Sequence, residues 1–101
     1  MFIISTSTYP PSKNRDMIER FQKAVAVAMP SFVKRHYVLT SAGGEPGIKV
    51  VGIYEVSDDK VADGMKELLR YFQNFYDVEG YRYSMETMLT AQEAIAALLA
   101  R

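Results

Sequence analysis

The chain has 101 residues, no cysteine, and twelve Lys plus Arg against twelve Asp plus Glu. That length suits a single domain, residues 1–101, with a small core, and a composition close to half hydrophobic excludes intrinsic disorder. A formal charge of zero gives no attraction to nucleic acid or anionic lipid, and the lack of Cys excludes disulfides, iron–sulfur clusters, thiolate zinc sites and thiol chemistry within the chain.

The opening segment, Phe2 to Tyr9, alternates as a strand does. Phe2, Ile4, Thr6 and Thr8 share one face, and Ile3, Ser5, Ser7 and Tyr9 share the other. It lacks a basic leader and carries only three consecutive apolar residues, so it reads as a first strand and not as a signal peptide. No apolar run approaches the roughly 20 residues needed to cross a bilayer. A cytoplasmic, non-membrane protein is the default expectation.

Pro10-Pro11 stops the strand, because proline lacks the ladder donor. Asp16 to Met29 then follows a helical period, with Ser12 and Asn14 as candidate caps. Its apolar stripe is Ile18, Phe21, Val25 and Ala28, widened by Met17 and Ala24, and Pro30 ends it. A second strand spans Phe32 to about Ser41. Strict alternation puts Lys34, His36, Val38 and Thr40 on one face and Val33, Arg35, Tyr37 and Leu39 on the other. Both faces are mixed, as on an edge strand.

Ala42-Gly43-Gly44-Glu45-Pro46-Gly47 is a hairpin connection. It enters a strand, whereas a phosphate cradle would enter a helix. The third strand, Ile48 to Val56, is the most apolar and reads as central. Ile48, Val50, Gly52, Tyr54 and Val56 oppose Lys49, Val51, Ile53 and Glu55. Gly52 leaves space on its face for a bulky neighbour or a ligand, or marks a bulge.

Ser57 is a candidate cap for a second helix, Lys60 to Phe75, and Asp58 and Asp59 suit its positive end. Val61, Met65, Leu68, Phe72 and Phe75 form its stripe, and Gly64 permits close packing on the sheet. A fourth strand, Tyr81 to Met88, alternates Tyr81, Tyr83, Met85 and Thr87 against Arg82, Ser84, Glu86 and Met88. Thr90 and Glu93 match a capping box for a short last helix, Ala91 to Ala100. Ile95, Leu98 and Leu99 lie along one side of it. Such a helix is too short to be stable alone in water and is expected to dock, on its own sheet or on a neighbouring chain.

The succession is β-α-β-β-α-β plus a C-terminal helix. It predicts an α+β, ferredoxin-like fold: a four-stranded antiparallel sheet in the order 4-1-3-2, with the two main helices on one face. The order of elements resembles the dimeric α+β barrel superfamily, which includes antibiotic-monooxygenase-like and haem-degrading enzymes and stress-responsive barrel proteins. It also resembles acylphosphatases, ACT-type regulatory domains and other ferredoxin-like modules. The likeness spans nearly the whole chain but is one of topology and length. No signature matches residue by residue, so no active-site residue is carried over. The barrel resemblance implies a homodimer with two sheets packed face to face, and any pocket between sheet and helices. The apolar character of both faces of the central strand points to the same homodimer.

His36, the only histidine, is weighed as a proton acceptor or axial ligand against a surface or interface residue, and the second reading is preferred. A single His excludes a multi-histidine metal site, and no cofactor is implied. Tyrosine is the most enriched functional type, with seven residues. A tyrosine-lined pocket for a small apolar or aromatic ligand is therefore weighed against core and interface packing. The candidate pocket residues are Tyr54, Gly52, His36, Arg82 and Tyr83. Arg35, Arg82 and Glu86 are read as cross-strand ion pairs in preference to a carboxylate clamp. No nucleophile motif or RNA-binding aromatic motif is present. The expectation is a small-molecule binding or accessory domain. The alternatives are a cofactor-independent oxygenase or isomerase, and a purely structural module. Convergence of Tyr54, His36 and Arg82 on one cavity would favour catalysis.

Overall fold

A computed structural model of the chain describes residues 1–45 and 47–100; Pro46, in the expected hairpin connection, lies outside them. The elements are β1 (Phe2–Tyr9), α1 (Asn14–Val25), β2 (Val33–Thr40), β3 (Ile48–Val56), α2 (Val61–Phe72), β4 (Arg82–Met88) and α3 (Ala91–Leu99). Short 3-10 turns at Pro11–Lys13, Asp58–Lys60 and Gln73–Phe75 lead into α1, into α2 and out of α2. The four strands form one antiparallel sheet in the order β2-β3-β1-β4, as the sequence predicts. No helix among the described residues is long and apolar enough to cross a membrane.

The sheet is open, with β2 and β4 as its two edges. This overturns the expected dimeric α+β barrel, and the face-to-face homodimer that the barrel implied goes with it. What stands is an α+β fold of ferredoxin-like topology. A physical reason lies on the face away from α1 and α2. Phe2, Ile4, Val51 and Ile53 are half-buried there, but Lys49, Glu55, Arg82, Ser84 and Glu86 on the same face are exposed. Pressing those charged and polar groups against a second sheet would strip their water.

Strict alternation holds on β1, β3 and β4 and fails on β2. Arg35 pairs with Tyr54, but Tyr37 pairs with Ile53, so β2 carries one extra residue at His36. The bulge turns the strand over. Val38 and Thr40 join Val33 and Arg35 on the helix side, while Tyr37 and Leu39 turn outward and are exposed.

The core lies between the sheet and the two helices. Ile3, Tyr54, Val56 and Leu68 are its largest fully buried side chains. Full burial of an Ile, Val or Leu contributes roughly 1.5–3 kcal/mol each. α2 buries the stripe its sequence predicts, with Leu68 and Phe72 inside and Phe75 following in the 3-10 turn. α1 differs. Met17 and Ala24 are its buried residues, whereas Ile18 and Val25 are exposed. It ends at Val25, before Ala28. Ser12, Asn14 and Ser57 make no capping hydrogen bond.

α3 is capped as predicted. Glu93 N–H donates to Thr90 Oγ1 at 3.1 Å, and Thr90 N–H donates to Glu93 Oε1 at 3.2 Å. It does not dock on its own sheet: Ile95, Leu98 and Leu99 are 54, 76 and 78% exposed. The radius of gyration is 15.2 Å, against about 13 Å for a compact chain of this length.

Candidate functional site

Two neighbouring cross-strand rows on the helix side of the sheet carry unusually small side chains. One row runs Ser5, Gly52, Val38 across β1, β3 and β2. The next runs Ser7, Val50, Thr40. Both rows lie between larger residues: the Ile3–Tyr54–Arg35 row on one side and Tyr9 on the other. Helices resting on those larger residues cannot reach the floor between them. The result is a cavity of about 310 Å³ between sheet and helices.

Met17, Ile18 and Phe21 of α1 roof this space, and Tyr54, Tyr71, Phe72, Phe75 and Tyr81 wall it. Exposed Ile18 and Gln22 on α1 and Thr40 on β2 form its rim. At the near end Tyr9 Oη donates to Asn14 Oδ1 at 2.8 Å; Asn14 is the first residue of α1 and Lys13 holds the cap position. The aromatic wall is continuous. Tyr71 meets Phe72 and Phe75 edge-on at 5.1 and 5.7 Å between centroids, and Phe75 leans on Tyr81 at 5.6 Å.

The polar groups of the cavity are hydroxyls and amides. Ser5 and Ser7 on the floor are only 4 and 6% exposed. Tyr81 Oη is buried and has no hydrogen-bond partner among the described residues. Leaving such a group unpaired costs about 1–3 kcal/mol. Burial pushes the phenols of Tyr54, Tyr71 and Tyr81 upward. Ser7 lies near enough to Tyr81 to ease that shift without closing a hydrogen bond. No Lys, Arg, His, Asp or Glu lines the space among the described residues. A half-buried charge packs against the wall without lining the space: the Arg35 guanidinium lies over Tyr71 at 5.3 Å and Tyr54 at 5.9 Å.

Of the residues singled out from sequence, Gly52 and Tyr54 line the cavity. His36, Arg82 and Tyr83 do not. His36 lies on the outward face, with Nε2 2.7 Å from Glu55 Oε1 and its ring 5.9 Å from that of Phe2. Arg82 is exposed on the same outward face. Tyr83 faces the helices but outside the cavity. It stacks on Phe72 at 5.0 Å and shares a 2.7 Å hydrogen bond with Tyr76 Oη. That bond, with burial behind it, pushes Tyr83 up to about 12. Tyr54, His36 and Arg82 therefore do not converge. The expected ion pairs among Arg35, Arg82 and Glu86 are absent among the described residues; Arg35 packs on tyrosine rings and on Met29 Sδ at 3.9 Å.

Sequence reasoning missed Ser5, Ser7 and Tyr81 as site residues. The signal was present in β1, whose inward face carries two serines between Ile3 and Tyr9 in an otherwise apolar setting.

No family model and no curated protein matches the chain. Among solved structures it is similar to a de novo designed protein, Foldit4, with a TM-score of 0.48 and 18% identity over 87% of this chain and 96% of that one. It is also similar to the C-terminal domain of the MgtC protein from Mycobacterium tuberculosis, with a TM-score of 0.44 and 9% identity over 89% of this chain and 90% of that one. Neither likeness bears on the site.

Proposed function

We propose that this domain binds a small aromatic or apolar molecule in the cavity between its sheet and helices. The carrying observation is the aromatic-walled space of about 310 Å³ over the floor of Ser5, Gly52 and Val50. Its size falls at the lower end of ligand pockets, about 300–1,000 Å³. Tyr54 and Gly52 are the pocket residues of this reading. Binding is favoured over an oxygenase or isomerase activity. A general base working near neutral pH needs an imidazole, carboxylate or amine within reach, and the lining offers only phenols that burial holds protonated.

The test is amide and methyl NMR of the whole chain titrated with a mixed panel of small aromatic compounds. Shifts are expected at Ser5, Phe21, Tyr54 and Tyr71. Val50→Phe, which places a ring in the space from the floor, is expected to abolish them while leaving the remaining spectrum native. Shifts confined to Phe2, Leu39 and Ile53 on the uncovered face, or none at all, would sink the reading.

A further inference from the structure

The cavity's chemistry narrows the class of molecule it takes. Its walls are rings and aliphatic groups, and the polar atoms at its floor are the hydroxyls of Ser5 and Ser7, each on a residue more than nine-tenths buried. Ser5 faces the Tyr54 hydroxyl and Ser7 faces that of Tyr81. Each hydroxyl can donate one hydrogen bond and accept others. The surrounding phenols keep their protons at neutral pH, because burial raises their pKa. No ionised side chain lines the space to compensate a ligand charge, and an uncompensated ion loses its hydration at a cost of several kcal/mol.

We infer that the ligand is an uncharged ring compound bearing a hydroxyl or carbonyl oxygen, which hydrogen-bonds to Ser5 and Ser7 on the cavity floor. The inference rests on the cavity-binding reading and goes further by fixing charge and polarity. The Tyr54 ring already covers Gly52, so the ligand lies beside that ring, over the neighbouring floor row of Ser7 and Val50. Arg35 provides the competing influence. Its guanidinium packs over the Tyr54 and Tyr71 rings and does not line the space, so it acts on a ligand through its field alone.

Three probes of one ring system separate the possibilities: naphthol, naphthoate and naphthalene, titrated by intrinsic fluorescence or calorimetry against the intact protein at neutral pH. Naphthol is expected to bind about ten-fold more tightly than naphthalene, the worth of one good hydrogen bond, and at least about ten-fold more tightly than naphthoate. Ser7→Ala, and separately Ser5→Ala, should weaken naphthol several-fold and leave naphthalene unchanged, which a general loss of packing would not do. Naphthoate binding as tightly as naphthol would overturn the neutral-ligand assignment and point to Arg35, with the cavity reading intact. Equal binding of naphthol and naphthalene would overturn the role of the serines, again with the cavity reading intact. If none of the three binds, the cavity reading itself falls and this inference with it.

Discussion

The Tyr54 ring lies back along its own strand over Gly52. A Cβ placed on Gly52 would stand 2.7 Å from Tyr54 Cε2 and 2.8 Å from Tyr54 Oη, and 2.6 Å from Ser5 Oγ across the β1 pairing. The glycine is thus the seat of the tyrosine. Tyr54 is 1% exposed because that position offers no side chain to push it out.

Gly52→Ala is therefore expected to destabilise the fold by about 1–3 kcal/mol, the usual cost of overpacking. Urea unfolding measures it. The same substitution in a Tyr54→Leu background should cost clearly less, since the ring that it strikes is gone. Additive costs in the double variant would show that Gly52 acts through something other than Tyr54.

Gly64 presents a conflict of signs. Replacing a mid-helix glycine by alanine ordinarily stabilises by about 1 kcal/mol. Here the added Cβ would lie 2.9 Å from both methyls of Val56, a residue only 2% exposed on β3. The clash is with a stiff β-branched side chain in the core, which has no room to yield. Gly64→Ala is expected to lower the melting temperature, and pairing it with Val56→Ala should recover part of the loss. A rise in melting temperature for Gly64→Ala alone would mean that α2 can lift from the sheet without cost.

How much of this was readable beforehand depends on where the pattern was one-sided. β1 and β3 have the predicted limits, because Pro10 and Gly47 punctuate them and their inward residues alternate without interruption. β2 was not readable past Arg35. Lys34, Arg35, His36 and Tyr37 are all polar or amphipathic, so nothing local prefers one face, and the extra residue at His36 shows only in the pairing with Tyr54 and Ile53. On α1, apolar residues at Met17, Ile18, Phe21, Ala24 and Val25 cover too wide an arc to fix its rotation. That Tyr54 and Gly52 share the helix-side face was legible because small and large alternate on one face of one strand. Arg82 and Tyr83 could never converge, since neighbours on a strand point to opposite faces. The cavity floor stayed hidden because it needs small residues from β1, β2 and β3 in register, and β2 was out by one.

α3 offers a test of which contacts hold the domain. Its capping box stabilises the helix locally by about 1 kcal/mol, and its apolar residues touch little else. A chain ending at Leu89 is expected to keep the melting temperature of the full chain within a few degrees, with helical circular dichroism reduced by the missing helix. Thr90→Ala in the full chain should lower helicity without changing the unfolding midpoint. A large drop in the midpoint on truncation would show that α3 packs on the domain in solution.

The phenols set the alkaline limit of stability. Burial raises Tyr9, Tyr54, Tyr71 and Tyr81 above the ordinary tyrosine value of 10.0, and the hydrogen bond to Tyr76 pushes Tyr83 up to about 12. In the unfolded chain these groups lose their protons first as pH rises. The folded form, which holds them longer, then binds more protons than the unfolded one, and stability falls with increasing pH. Their contribution is complete below 10.0 and is lost as pH climbs through the folded values. Most of the tyrosinate absorbance of the native protein should therefore appear late, in a cooperative step that coincides with unfolding. In denaturant, the same five tyrosines should titrate around 10.0. Tyr81→Phe removes an unpartnered buried hydroxyl along with its titration, so it is expected to flatten the alkaline slope and leave stability at neutral pH equal or higher. A native titration matching the denatured one, or an unchanged alkaline slope in Tyr81→Phe, would show that these rings are open to solvent and that the aromatic wall of the cavity is not closed.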